Sequence, residues 1–118
     1  MDGRTQATSS PTLLQQRDAA RARRRLEVYE ETRRRLKDAL RELIPGHKVI
    51  LFGSLIRPGV FNDRSDVDLA LESEPPQMSF YRLIAELMER LGRSVDIVML
   101  DQCRFRERIR REGEVWIA

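Results

Sequence analysis

The sequence has almost none of the features that mark exported or membrane proteins. Its 118 residues include one cysteine and one histidine, and aromatic residues make up only 6%. A single cysteine, Cys103, excludes an intrachain disulfide. No apolar run approaches the ~20 residues needed to cross a bilayer, and the amino terminus lacks the basic and then apolar pattern of an export signal. We therefore expect a protein of the reducing cytoplasm.

Length and composition predict one compact domain. Hydrophobic residues make up 41% of the chain and charged residues 35%, within a mass of 13.8 kDa. A chain of this size forms one good core and is too short for two. We expect residues 1–12, which are polar and lack apolar periodicity, to form a flexible tail. Residues 13–118 would then form a single domain, with a leading helix over 13–45 and a core over 46–118.

The net charge of +3 is unevenly distributed: residues 1–45 carry +4 and residues 46–118 carry −1. The excess is concentrated in two runs, Arg23–Arg25 and Arg33–Arg35. Arg23 and Arg34, like Arg24 and Arg35, are eleven residues apart, which on a helix leaves a rotation of only about 20°, so these members of the two runs overlie one another. They indicate either a solvated face with Arg/Glu pairs or contact with an acidic partner or a nucleic acid. Arg33 projects within the apolar stripe of the helix, so we expect it to pack or pair at an interface.

Apolar periodicity and helix-start signals predict two long helices. The first runs from Leu13 to Leu43, free of glycine and proline and ended by Pro45 and Gly46. The second is capped by Ser79 and runs to Leu91. The first helix has an apolar stripe that should pack on the rest of the domain: Ala22, Leu26, Tyr29, Leu36, Leu40, Leu43 and Ile44.

Short β-branched and apolar segments predict the strands. They read HKVILFG, DVDLALE and SVDIVML, with a fourth, VWIA, at the carboxyl end. A charged helix is expected over about 102–112, between the third and fourth of them. Strands that alternate with helices predict a single α/β or α+β domain.

A glycine and a serine, Gly53 and Ser54, follow the first strand. Glycine lets a backbone approach a ligand closely, and the amides and hydroxyl that follow can point at phosphate oxygens. As an isolated dipeptide, Gly-Ser most often marks only a turn. The pair indicates a phosphate-binding turn only in combination with the acidic residues that follow it.

Three aspartates are candidates for metal ligands. Asp66 and Asp68 are separated by one residue on a predicted strand, so both carboxylates should leave the same face of the sheet. Paired carboxylates suit Mg²⁺, which fills its remaining positions with water and substrate phosphates. Asp96 lies in an apolar strand, where an unpaired acid is costly to bury. If the two strands are neighbours, three carboxylates converge as in a two-metal phosphoryl-transfer site; the alternatives are a solvated strand face or a partner arginine.

The segment LFGSLIRPGVFNDRSDVDLALE, with the later Asp96, resembles the signature of the polymerase-beta-type nucleotidyltransferase superfamily. The ending RERIRREGEVWI looks like the minimal nucleotidyltransferases, the antitoxins of HEPN/MNT toxin–antitoxin pairs. The resemblance covers about residues 25–118 and implies a small mixed β-sheet flanked by helices, preceded by a long helix. The loop from Leu55 to Ser65 has eleven residues, one more than is usual in that family.

Position by position, the resemblance implies that Gly53 and Ser54 hold the β and γ phosphates of ATP, with Arg57 also at the nucleotide. It implies that Asp66 and Asp68 ligate Mg²⁺, and that Asp96 is the third carboxylate, binding the catalytic metal and helping to deprotonate the attacking hydroxyl. The expected reaction is an in-line attack on the α-phosphate with pyrophosphate leaving.

The resemblance also implies a partner, an RNase toxin of the HEPN type with a tyrosine that receives AMP. Because the chain has no segment to spare for an acceptor domain, we expect the acceptor to come from that partner. Two other interpretations stay open: an antitoxin that neutralises by binding alone, and an adenylyltransferase acting on a small molecule such as an aminoglycoside. Direct nucleic-acid binding through the arginine runs is a further, less favoured possibility.

Overall fold

A computed structural model of the protein describes residues 11–118; the predicted tail over 1–12 therefore falls mainly outside the described residues. Helix α1 spans Leu13–Leu43, as predicted. Thr12 caps it: its hydroxyl accepts a hydrogen bond from the Gln15 amide at 3.1 Å, and the Gln15 side chain accepts one from the Thr12 amide at 2.8 Å. Two orphan amides at the helix start are thus satisfied reciprocally.

Only the second half of α1 packs on the domain, which corrects part of the predicted stripe. Ala22 and Leu26 are exposed, Leu26 at 46%. The helix is longer than the sheet it covers, so its first half has no apolar surface within the described residues to pack on. The buried positions of α1 are Val28, Thr32, Leu36, Ala39 and Leu40.

The sheet has four strands: β1 Lys48–Phe52, β2 Val67–Leu71, β3 Val95–Met99 and β4 Glu114–Ile117. Their order is β3-β2-β1-β4. Strand β1 runs antiparallel to both β2 and β4, whereas β2 and β3 are parallel. This mixed sheet confirms the predicted α+β class, including the terminal strand.

Helix α2, Phe80–Leu91, makes the crossover between the parallel strands. Ser79 caps its start and Gly92, at φ 66°, ends it in the left-handed conformation, as both residues predicted. Helix α3 spans only Arg106–Glu112, so the prediction of a helix from 102 was wrong at its beginning. A short 3₁₀ turn, Leu100–Gln102, occupies that end of the segment instead.

The two faces of the sheet are covered unequally. Because side chains alternate along a strand, Val49 and Leu51 of β1 face α1 and α2 and join the main core. Ile50 of β1 and Ala70 of β2 face the other side, where they pack with Leu100 and with Ile109 of α3. Helix α3 is short, and it leaves part of this second face open. None of the helices in residues 11–118 is long and apolar enough to span a membrane.

Arg33 of α1 packs and pairs inside the molecule, as its place in the stripe predicted. Its guanidinium donates to the carbonyl oxygen of Leu55 at 2.9 Å and to the carboxylate of Glu114. The same group lies 5.1 Å from the ring centroid of Tyr29 and 5.2 Å from that of Trp116. The hydrogen bond from Arg33 lowers the pKa of Glu114. Arg33 thus ties α1 to β4 and to the turn that follows β1.

Replacing Arg33 with methionine should lower the free energy of unfolding by about 2 kcal/mol, because the Leu55 carbonyl loses the Arg33 donor and Glu114 keeps only the Trp116 indole as a donor. The Arg33 side chain is only 19% exposed. The neighbouring Arg34→Met is the control, since Arg34 forms an exposed pair with Glu31 and such pairs contribute under about 1 kcal/mol. Urea unfolding at pH 7 measures both. Equal midpoints for the two variants would contradict the structural role of Arg33.

Candidate functional site

Two of the predicted acids lie side by side on the open face of the sheet. Asp68 of β2 and Asp96 of β3 are directly opposite each other in the parallel register. They follow the same alternation as Ala70 and Val98, which pack on the second face. The strands that carry the acids are therefore neighbours, which was the condition for the carboxylates to converge.

Asp66 is placed differently from the sequence expectation. It stands in the loop just before β2, whose first residue is Val67, and its side chain is exposed. The ladder begins only where the Val67 amide donates to the Ser94 carbonyl at 2.9 Å, so Asp66 is not held on the strand face with Asp68. Its charge nevertheless acts on Asp68, as the pKa of that group shows.

The turn after β1 comes very close to Asp68. Gly53 opens a 3₁₀ turn, Gly53–Ile56, with φ +72°, in the region that favours glycine. The last residue of β1, Phe52, is paired with Asp68. A Cβ placed on Gly53 would lie 2.6 Å from Oδ2 of Asp68. Only a glycine fits between this backbone and the carboxylate without displacing it.

A cleft of about 500 Å³ joins these elements. Five of the six predicted site residues line it, Gly53, Ser54, Arg57, Asp68 and Asp96, and Asp66 does not. The cleft is bounded on its other sides by the loop between β1 and β2 and by α3 with the residues just before it. It lies on the open part of the second sheet face, and its size is within the usual range for a small-molecule site.

Burial and like charge act together on Asp68. Burial, then the charge of Asp96, then that of Asp66 raise the pKa of Asp68 from its usual 3.8 to about 6. An ionised carboxylate here is unfavourable unless a cation is added. Mg²⁺ is commonly held by one or two protein carboxylates and completes its shell with water and phosphates. Asp68 and Asp96 match that requirement, although no group of three or more His, Cys, Asp or Glu side chains in residues 11–118 is arranged to hold an ion.

Sequence reasoning missed the apolar and basic part of the cleft. Val60, Phe105 and Arg108 line it together with the acids, whereas the sequence predicts a charged helix from about 102, with Phe105 and Ile109 four apart, and assigns neither of them to the site. A usable signal was present: Phe105 and Ile109 are the only large apolar residues between Arg104 and Glu112, and they are four apart. Ile109 is buried, so packing in the core accounts for it. Packing does not account for Phe105.

A second cleft, of about 580 Å³, lies beside α1 and contains none of the predicted site residues. Its charged lining is balanced: Arg24, Arg34, Arg35 and Arg93 face Glu27, Glu30, Glu31 and Asp63. The second arginine run is largely engaged within the molecule, since Arg33 is packed and Arg35 donates to the Arg90 carbonyl at 2.7 Å. This pattern favours a solvated face with ion pairs over a continuous basic surface for nucleic acid.

The mixed four-stranded sheet with its helices is consistent with a polymerase-beta-like nucleotidyltransferase fold. Comparison with family models agrees: the nucleotidyltransferase domain model matches residues 33–115, and the chain belongs to this family. A solved structure described as the crystal structure of a toxin-antitoxin with AMP-PNP has the same fold, with a TM-score of 0.54 and 24% identity over 72% of this chain and 73% of that one. A comparison with curated protein sequences gave no match.

Proposed function

We propose that the protein is a Mg²⁺-dependent nucleotidyltransferase that transfers AMP from ATP to a hydroxyl group of a partner protein. The observation that carries the proposal is the pairing of Asp68 with Asp96 across adjacent strands, beside a turn where a Cβ on Gly53 would collide with the Asp68 carboxylate. This arrangement offers metal ligands and phosphate-binding backbone groups in one cleft. Membership in the nucleotidyltransferase family supports the same chemistry.

In this proposal Asp68 and Asp96 hold the metal, and Asp66, whose charge already acts on Asp68, completes the set. Bound there, Mg²⁺ would neutralise phosphate charge and stabilise the charge that develops during transfer. The amides and hydroxyl of the turn at Gly53 and Ser54 would hold the β and γ phosphates. Arg57, which follows the turn and lines the cleft, would add a positive charge beside them.

The proposed reaction is an in-line displacement at the α-phosphorus. The acceptor hydroxyl oxygen forms a bond to the α-phosphorus, and the bond from that phosphorus to the bridging oxygen of the β-phosphate breaks. Pyrophosphate leaves, and the proton of the hydroxyl passes to the carboxylate of Asp96. Positioning of the two oxygens in line, together with electrostatic stabilisation, supplies most of the rate in such transfers.

We propose that the acceptor belongs to a toxin, and specifically that it is a tyrosine of a HEPN-type RNase. Two things support this proposal: the solved structure with the same fold is a toxin-antitoxin complex containing AMP-PNP, and the sequence resembles the minimal nucleotidyltransferase antitoxins. In this role the chain would act as the antitoxin, and AMP on the tyrosine would block the toxin.

The test uses ATP labelled on either the α or the γ phosphate, together with Mg²⁺ and the protein encoded by the neighbouring reading frame. We expect the α label to appear on a tyrosine of that partner, while the γ label is released as pyrophosphate. Transfer of the γ label would identify a kinase and contradict the proposal. No label on the partner, together with pyrophosphate release that depends on added hydroxylated small molecules, would identify the small-molecule enzyme instead.

A double variant distinguishes neutralisation by catalysis from neutralisation by binding alone. Asp68→Asn with Asp66→Asn should fail to label the partner and should fail to protect cells from it. If the double variant still neutralises the partner at equal expression, the protein acts as an antitoxin by binding alone, and the catalytic proposal is wrong.

A further inference from the structure

Two large apolar side chains that line the cleft with the aspartates are exposed to solvent. Phe105 is 62% exposed and Val60 is 54% exposed, and both line this cleft. They come from separate segments: Val60 from the loop between β1 and β2, and Phe105 from the residue just before α3. Exposed apolar side chains gathered at a cleft with polar groups mark a binding surface.

The backbone at Phe105 is held in place although its ring is exposed. Its amide donates to Sγ of Cys103 at 3.4 Å, and its carbonyl accepts from the Ile109 amide at 2.9 Å. Ile109, one turn further on, is buried between α3 and the sheet. The phenyl ring is thus presented to the cleft from a fixed position and adds nothing to the core.

We propose that Phe105 is the platform on which the base of the nucleotide stacks, with Val60 as the apolar wall on the other side of the cleft. This inference rests on the proposed function, because it assumes that a nucleoside triphosphate is the ligand. The acids and the glycine turn would take the phosphates, so the planar base needs an apolar surface elsewhere in the same cleft. Aromatic side chains stack on any base because every base has a π-face.

The chemistry of the platform predicts a preference among bases. A phenyl ring has no hydrogen-bonding group, so it favours the larger purine surface over a pyrimidine and does not distinguish adenine from guanine. Arg108, which also lines the cleft, is four residues before Glu112 and already donates to it at 3.2 Å. Because the phenyl ring carries no hydrogen-bonding group, any discrimination between adenine and guanine must come from residues other than Phe105.

The test compares two probes, a non-hydrolysable ATP analogue and tripolyphosphate, each titrated calorimetrically in the presence of Mg²⁺. Phe105→Ala should weaken binding of the ATP analogue about tenfold or more, since stacking of one base contributes on the order of a factor of ten in affinity. Binding of tripolyphosphate, which has no base, should stay unchanged. Phe105→Tyr should bind both probes like the original protein. The purine preference, measured by titrating a non-hydrolysable CTP analogue in the same way, should be lost in Phe105→Ala.

The control is Tyr81→Ala, which removes another exposed aromatic ring, 73% exposed and outside the cleft. It should leave binding of both probes unchanged. Equal binding of the ATP analogue by Phe105→Ala and the original protein would overturn this inference alone, as would an effect confined to the affinity for the partner protein. Failure of the original protein to bind either probe would overturn the proposed function as well.

Discussion

Replacing Asp68 with asparagine should lower the rate of nucleotidyl transfer on the order of 10³-fold or more while making the fold more stable. The loss of activity follows from the place of the carboxylate. Asp68 faces Asp96 on the next strand and lies against the turn at Gly53, so its carboxylate stands beside the other proposed metal ligand and at the turn that would hold the phosphates. An amide keeps the shape of the side chain but removes its charge.

The gain in stability follows from the raised pKa of Asp68, about 6 in the folded protein against a usual 3.8. Between these pH values the folded state holds the proton more tightly than the unfolded state. The free energy of unfolding therefore falls as the pH rises from about 4 to about 6, and it stays low above that range. Asparagine does not ionise, so at pH 7.5 the variant should be more stable by about 1–2 kcal/mol; the half exposure of the group reduces the full effect.

Urea unfolding of both proteins at pH 4 and pH 7.5, with transfer measured on the same samples, tests the two halves of the prediction. The difference in stability should be present at pH 7.5 and should shrink at pH 4. The matched control is Asp101→Asn, an exposed aspartate that does not line the cleft, which should change neither property. Retained activity in Asp68→Asn would show that this residue is not needed for transfer. An unchanged stability would show that ionisation of its carboxylate does not destabilise the fold.

Most of the fold could be predicted because its elements depend on local patterns. Helix α1 begins and ends at capping and stop signals that are visible in the sequence, and the helix ending at Leu91 is bounded by Ser79 and Gly92. Strand alternation placed Asp68 away from the core. The neighbouring strands follow from the helix between them, since a strand, a helix and a second strand form a parallel pair in the usual crossover.

The differences arise where distant segments decide the outcome. Periodicity places Leu26 in the same apolar stripe as Leu36, but only the part of α1 above the sheet can bury such a residue. Whether Asp66 belongs to β2 depends on the Ser94 carbonyl, which comes from another part of the chain. Phe105 could be read as a core residue from its spacing to Ile109, and only the open sheet face shows that it borders the cleft.

Replacing Gly53 with alanine should lower the rate of transfer about 100-fold, because a displacement of about 1 Å in a catalytic group can cost that much. The added Cβ would meet Oδ2 of Asp68 at 2.6 Å, well inside van der Waals contact, so the carboxylate or the turn must move. The left-handed φ of +72° adds strain, and the free energy of unfolding should fall by about 1–2 kcal/mol.

The structure offers a control that separates strain from collision. Gly46 has the same kind of backbone conformation, with φ +80°, and nothing lies within 4 Å of a Cβ placed there. Gly46→Ala should therefore lose a similar amount of stability and keep its transfer activity, whereas Gly53→Ala should lose both. Thermal unfolding and initial rates, measured on the two variants at one temperature, make the comparison. If both variants lose activity equally, the effect comes from general destabilisation and not from contact with Asp68. If neither does, the turn at Gly53 does not position the carboxylate.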